Sequence, residues 1–255
     1  MPMALPTHAP LGSLRSQMQL TLHTHHAIRL WHGRLPSEQV HGIVGLSGFV
    51  AQVNRIHRDA AQDDPYADAW LLRIEAKLDT ARAELLDLRA QLSDALTQAP
   101  AALQLGDNLS LDPVRLPVTV NAPLGFLALY LLADYDELAR RALLAQHTAL
   151  IDPPTLDRWL EDGAHVLRSL FGLVQPYRSS GVCRDDFAAG NAKALRASEQ
   201  FGELPQPVLD GSQRARHAPA LRRYGPNEHS AAAPVPATAD PLDDTVPEPV
   251  PPCTP

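Results

Sequence analysis

Eight apolar residues recur between Trp70 and Leu96 at spacings of 4, 4, 3, 4, 3, 4 and 4: Trp70, Ile74, Leu78, Ala81, Leu85, Leu88, Leu92 and Leu96. This period lays one apolar seam along a helix of about four heptads. Asp64-Pro65 opens the helix, with Asp as cap and Pro at the first helical position, and Pro100 closes it. The predicted helix is 65–98. Such a seam needs a matching apolar surface. Dimerisation through Trp70, Ile74, Leu78, Leu85, Leu88 and Leu92 would supply one.

A different period precedes it. In Ser16–Thr24, Met18, Leu20 and Leu22 alternate with Gln17, Gln19, Thr21 and His23. A period of two is a half-buried strand with one polar, exposed face. A short helix comes next over His25–His32, with Ala27, Ile28, Leu30 and Trp31 inward and Gly33 as its stop. A loop runs to Gly45. Ser47 is then read as the N-cap of a helix over Phe49–Ala61, with Phe49, Val53 and Ile56 on its apolar stripe.

A second alternating run is Val114–Val120, where Arg115, Pro117 and Thr119 take the polar positions. Pro117 restricts this strand to an edge. Helices are predicted over Leu124–Leu150, Pro154–Asp162, Ala164–Val174 and Arg184–Phe201, with Gly163 and Gly202 as C-caps. Strand followed by helices occurs twice, a faint internal echo. Residues 211–255 hold 10 of the 24 prolines. Such a stretch buries too little apolar surface to offset its chain entropy and reads as a disordered tail. The same is expected of 1–10. The predicted organisation is a unit over 11–62 and a helical body over 63–210. The expected fold class is mainly α with a short β-ribbon: a ribbon–helix–helix-like N-terminal unit, then a long helical hairpin and helical body.

Several function classes are excluded at this level. The sequence has no stretch of 18 apolar residues, so no membrane span is expected. Met1–Pro10 has no Lys or Arg and no long apolar run, unlike a secretory signal. Two cysteines, Cys183 and Cys253, cannot form a disulfide framework or a cysteine-ligated zinc site. A cytoplasmic location is the expectation. His23 and His25 would share a strand's polar face as a metal pair, yet no third ligand lies close by. No nucleophile elbow, P-loop or dinucleotide fingerprint is present. Cys183 reads as a buried small residue. The acidic pairs Asp63-Asp64 and Asp185-Asp186 stand at helix starts, where capping accounts for them. Neither an enzyme nor a cofactor is expected.

Charge points elsewhere. The net charge is −7, yet residues 1–62 carry five Arg and two acids, with seven of the 11 His. A basic segment on an acidic body can meet a polyanion locally. The polar-faced strand can pair with a second copy across a two-fold axis, as a homodimer would, and the sequence leaves open whether it pairs so or within one chain. Either gives an antiparallel ribbon that fits the major groove of DNA. Gln17 and Gln19 have amides suited to adenine edges. Thr21 can bond a base or touch a thymine methyl, and Arg15 and His23 can reach a base or phosphate. The helix start at Gly45–Gly48, with the Ser47 hydroxyl and Gly48, is an anion site suited to a phosphate.

Four stretches resemble a bacterial family encoded on integrating conjugative elements: LGSLRSQMQLTLHTHHAIRLWHGR (Leu11–Arg34), QDDPYADAWLLRIE (Gln62–Glu75), PLGFLALYLLADYDELARRAL (Pro123–Leu143) and GVCRDDFAAGNAKALRASEQFGELP (Gly181–Pro205). That family looks related to the AcaB-like transcriptional regulators of conjugative plasmids, which are ribbon–helix–helix proteins. The resemblance implies a regulator of conjugative-transfer genes. Its partner would be double-stranded DNA, with Arg15, Gln17, Gln19, Thr21 and His23 on the ribbon and Arg34, Ser47 and Gly48 on phosphates. The alternative is a helical accessory or scaffold protein that binds conjugation proteins through the seam.

Overall fold

The computed structural model describes residues 18–36 and 42–221. The elements run β1 (Met18–Leu22), α1 (His25–His32), β2 (Gly33–Arg34), β3 (Ile43–Val44), α2 (Leu46–Ala61), α3 (Pro65–Leu96), β4 (Val114–Val118), α4 (Pro123–His147), α5 (Pro153–Gly172), α6 (Arg184–Ala188), α7 (Ala192–Phe201) and α8 (Gln206–Leu209). The fold is mainly helical with short antiparallel strand pairs.

The two alternating runs find each other. β1 pairs antiparallel with β4, Leu20 standing opposite Leu116 and Gln19 opposite Pro117. Among the described residues each of these strands has one neighbour, so the missing Pro117 N–H is tolerated. The ribbon therefore closes within one chain. A second small pair, β2–β3, sets Gly33 against Val44 and draws together the ends of the loop between α1 and α2.

α3 starts as expected. Asp64 Oδ1 accepts from the backbone N–H of Tyr66 (2.9 Å) and Ala67 (3.2 Å), and Pro65 occupies the first turn. The seam is covered inside the chain. Ile74, Leu78, Leu85, Leu88 and Leu92 are buried in the main core, and α3 packs on α2, α4 and α5. Trp70 is half-buried, edge-on to the Tyr177 ring at 5.8 Å. These residues are core rather than the expected dimer seam, because the amphipathic helices of the same chain supply the matching surface first.

Other boundaries differ for local reasons. Gly163 does not stop a helix. It lies inside continuous α5, where a Cβ would stand 2.8 Å from the buried Tyr135 ring. The single helix predicted over Arg184–Phe201 is two, α6 and α7. Gly190 turns left-handed between them at φ +57°, and Asn191 caps α7. Cys183 is half-buried at the N-cap of α6.

Residues 211–221, assigned to the tail on composition, pack on α3. Ala215 is buried. Arg214 contacts both carboxylate oxygens of fully buried Asp68, at 2.8 and 2.9 Å. Arg184 reaches the same carboxylate at 2.7 Å. Arg216 pairs with Glu75 and Asp79. The rest of that segment, and 1–10, lie outside the described residues.

Candidate nucleic-acid interface

Alternation gives the β1–β4 ribbon two faces. Leu22 and Val118 are buried, and Leu20 and Leu116 half-buried, against the helices. Gln19, Thr21, Arg115 and Pro117 are exposed. Directly opposed residues of an antiparallel pair share a face, so Thr21 with Arg115 and Gln19 with Pro117 form one outward patch. It presents a carboxamide, a hydroxyl and a guanidinium, and neither strand carries a carboxylate. Arg115 joins the site although the sequence pattern alone does not place it there. Its polar position in the second run is visible in the sequence. That this run lies beside the first is not.

The turn after β1 is held from α4. The backbone N–H of His23 donates to Asp136 Oδ2 at 3.0 Å, and that of Thr24 to Asp136 Oδ1 at 2.9 Å. The Thr24 hydroxyl donates to the same Oδ1 at 2.7 Å and accepts from Ala27 N, capping α1. His23 thus sits past the strand's end. Its Nδ1 accepts from Ser110 N at 3.2 Å, which ties its ring to the segment before β4. His25 lies in the first turn of α1, so the two histidines do not share a strand face. Among the described residues no group of three or more His, Cys, Asp and Glu could hold a metal ion.

Ser47 is exposed in the first turn of α2, but Gly45 is the N-cap and supplies no side chain. The backbone explains the substitution of roles. A Cβ at Gly45 would stand 2.3 Å from Gly33 N and 2.4 Å from Trp31 O. Only glycine permits that approach. The Ser47 hydroxyl instead donates to Trp31 O at 3.2 Å, tying the start of α2 to the end of α1. Gly48 is exposed beside it, and no acidic residue stands in this turn. A helix start of this kind favours an anion.

Arg34 is exposed on β2, which pairs with β3 and not with a ribbon strand. With His26, Arg29 and Arg168, and with the acidic Asp157 and Glu161, it lines a cleft of about 580 Å³. Burial, with Arg29 and His25 nearby, holds the His26 pKa below its ordinary value. Arg15 and Gln17 lie outside the described residues.

A family model described as transcriptional regulator AcaB matches residues 10–222, a span that includes every described residue. No curated protein matches the sequence. Among solved structures, the fold is similar to the crystal structure of selenomethionine-containing AcaB from uropathogenic E. coli. The identity is 13 % and the TM-score 0.50, with 79 % of this chain and 98 % of that one covered. At that identity the likeness concerns the fold, and the family model carries the assignment. The chain belongs to the AcaB family of transcriptional regulators.

Proposed function

We propose that the chain is a DNA-binding transcriptional regulator of an integrating conjugative element, and that the β1–β4 ribbon reads the major groove. One observation carries this reading. A two-stranded antiparallel ribbon, backed by helices, turns Gln19, Thr21 and Arg115 outward on one face. A ribbon of this width enters the major groove, where a Gln amide pairs with adenine, an Arg guanidinium with guanine and a Thr hydroxyl with either. Ser47 and Gly48 at the start of α2, together with Arg34, would hold backbone phosphates and fix the register. The conjugative-element setting rests on the sequence stretches that resemble that family, and with it a cytoplasmic location.

The test is titration of the full chain against the element's promoter fragments and random duplex at several salt concentrations. The expected result is one fragment bound tightly in the presence of competitor, weakened by about 1–3 kcal/mol in Gln19→Ala with relaxed specificity. Equal affinity for every duplex, or no binding at low salt, overturns the reading.

A further inference from the structure

The ribbon is built from two matching halves of one chain. Both five-residue strands run through the same exposures: exposed, exposed, half-buried, exposed, buried. The first residues match closely, Met18 at 39 % and Val114 at 38 % exposed. The register pairs Met18 with Val118, Leu20 with Leu116 and Leu22 with Val114. A two-fold axis through the Leu20–Leu116 pair therefore carries Met18 onto Val114, Gln19 onto Arg115, Thr21 onto Pro117 and Leu22 onto Val118.

The helices after each strand repeat as well. α1 and α2 come after β1, as α4 and α5 come after β4. Like helices touch, α1 with α4 and α2 with α5, and so do both crosswise pairs, α1 with α5 and α2 with α4. The turns into the first helices are held reciprocally. Asp136 of α4 accepts from the N–H groups of His23 and Thr24, and Asn54 of α2 accepts from those of Asn121 and Ala122. Each half clamps the helix entry of the other, and α3 lies between the halves in sequence.

Resting on the DNA-binding reading above, we propose that one chain supplies both halves of the reading ribbon and recognises a non-palindromic duplex site as a monomer. A ribbon shared by two identical chains presents the same residues on either side of the axis and calls for a palindromic site. Here the related positions differ in chemistry. The Gln19 amide suits adenine, and the Arg115 guanidinium suits guanine. Thr21 offers a hydroxyl where Pro117 offers no donor. The second helices differ as well. Gly45 leaves the start of α2 without a side-chain cap, whereas Asp152 caps α5 and Pro153 and Pro154 bring no N–H. A phosphate would meet amide donors at one end of the ribbon unit and a carboxylate at the other.

The test has one arm without DNA and one with it. In the first, full chains of two tag lengths are co-expressed with Met18→Cys and Val118→Cys, the native cysteines replaced by serine. They are then joined by oxidation or a short bifunctional thiol reagent. Crosslinks within single chains, with no mixed-length product, support the proposal. Mixed-length products overturn it and leave a ribbon shared between chains. In the second arm, native mass spectrometry counts chains on the bound promoter fragment, and the footprint is rebuilt as two identical half-sites. One chain per duplex, with affinity reduced tenfold or more on the symmetric site, supports the proposal. Two chains on one footprint, or undiminished affinity for the symmetric site, overturns it and leaves the DNA reading standing. If the crosslink stays within one chain but no duplex binds, the DNA reading fails and the proposal falls with it.

Discussion

Asp136 holds the N-cap residue of α1 from α4: its Oδ1 accepts from both the backbone N–H and the hydroxyl of Thr24, at 2.9 and 2.7 Å. Its Oδ2 accepts from His23 N at 3.0 Å and lies 3.7 Å from Arg140 Nε. Asp136→Ala would strip three donors at a buried turn of their acceptor. The expected cost is about 2–4 kcal/mol in urea unfolding, because each buried donor left unpaired carries a desolvation penalty. Asp136→Asn retains one acceptor oxygen but aims an NH₂ at donors, so its stability falls between those of the natural chain and the alanine variant. A loss under about 0.5 kcal/mol in the alanine variant would show that other contacts hold the turn.

Gly163 offers a test whose sign discriminates. Helix propensity alone predicts that Gly→Ala inside α5 stabilises by roughly 1 kcal/mol. The geometry predicts the reverse. The new Cβ would stand 2.8 Å from Cε2 of Tyr135, a ring 1 % exposed and anchored by its hydroxyl on Leu160 O. The ring cannot move aside freely, so Gly163→Ala is expected to destabilise by about 1–3 kcal/mol. A raised melting temperature would show that the α4–α5 contact has room for the methyl group.

These two positions show what a sequence can and cannot give. Asp64-Pro65, Gly33 and Gly202 mark helix ends through their own conformational preferences, and such local signals are legible. Gly163 carries the same signal for a different reason, close packing on a ring far away in sequence. Ser47 has the chemistry of a cap, yet loses that place to Gly45 because the backbone of Gly33 comes too near for any side chain. The seam period reveals a helix face without revealing what covers it. The same limit hides Arg115: alternation marks both strands, but their pairing depends on how α1, α2 and α3 return the chain between them.

The arm after α8 can be separated from the remaining C-terminal residues by two truncations. Ending the chain at residue 221 keeps Arg214 on Asp68 and Arg216 on Glu75 and Asp79. Ending it at 210 removes these partners and uncovers the site of Ala215. Asp68 is fully buried, and Arg184 would then be its remaining guanidinium partner. The shorter chain is expected to be less stable than the longer one by about 3–5 kcal/mol, as when a buried pair loses one member. Equal unfolding midpoints would mean that the arm contributes no packing.

Acidification should weaken the fold through two histidines. His26 is held below the ordinary value near 6.5 by burial, then by Arg29 and His25. His57 is lowered by burial. A base with a depressed folded pKa remains neutral in the fold, so its contribution is complete above about 6.5 and declines as pH falls toward the folded value. Asp64, whose carboxyl pKa burial raises, contributes with the opposite sign. The comparison is therefore between proteins rather than between pH values. Unfolding midpoints from pH 7.5 to 5 are expected to fall less in His26→Gln/His57→Gln than in the natural chain. Parallel curves would exclude these two side chains as the source.

Arg115 and Arg34 are expected to fail in different ways on DNA. Arg115 is exposed on the outward face of the ribbon, where on the proposed reading its guanidinium would meet a guanine edge. Its replacement by alanine should cost about 1–3 kcal/mol at the preferred fragment and relax discrimination at one base pair. Arg34 belongs to the β2–β3 pair before α2, where on the proposed reading a cation would meet phosphate irrespective of sequence. Arg34→Ala should weaken all duplexes alike and lower the slope of log affinity against log salt by about 1. Titrations of both variants against the preferred and random duplexes at four salt concentrations separate the cases. If Arg115→Ala leaves the preference intact and only the slope changes, the arginine contacts phosphate, and the bases are read by Gln19 and Thr21 without it.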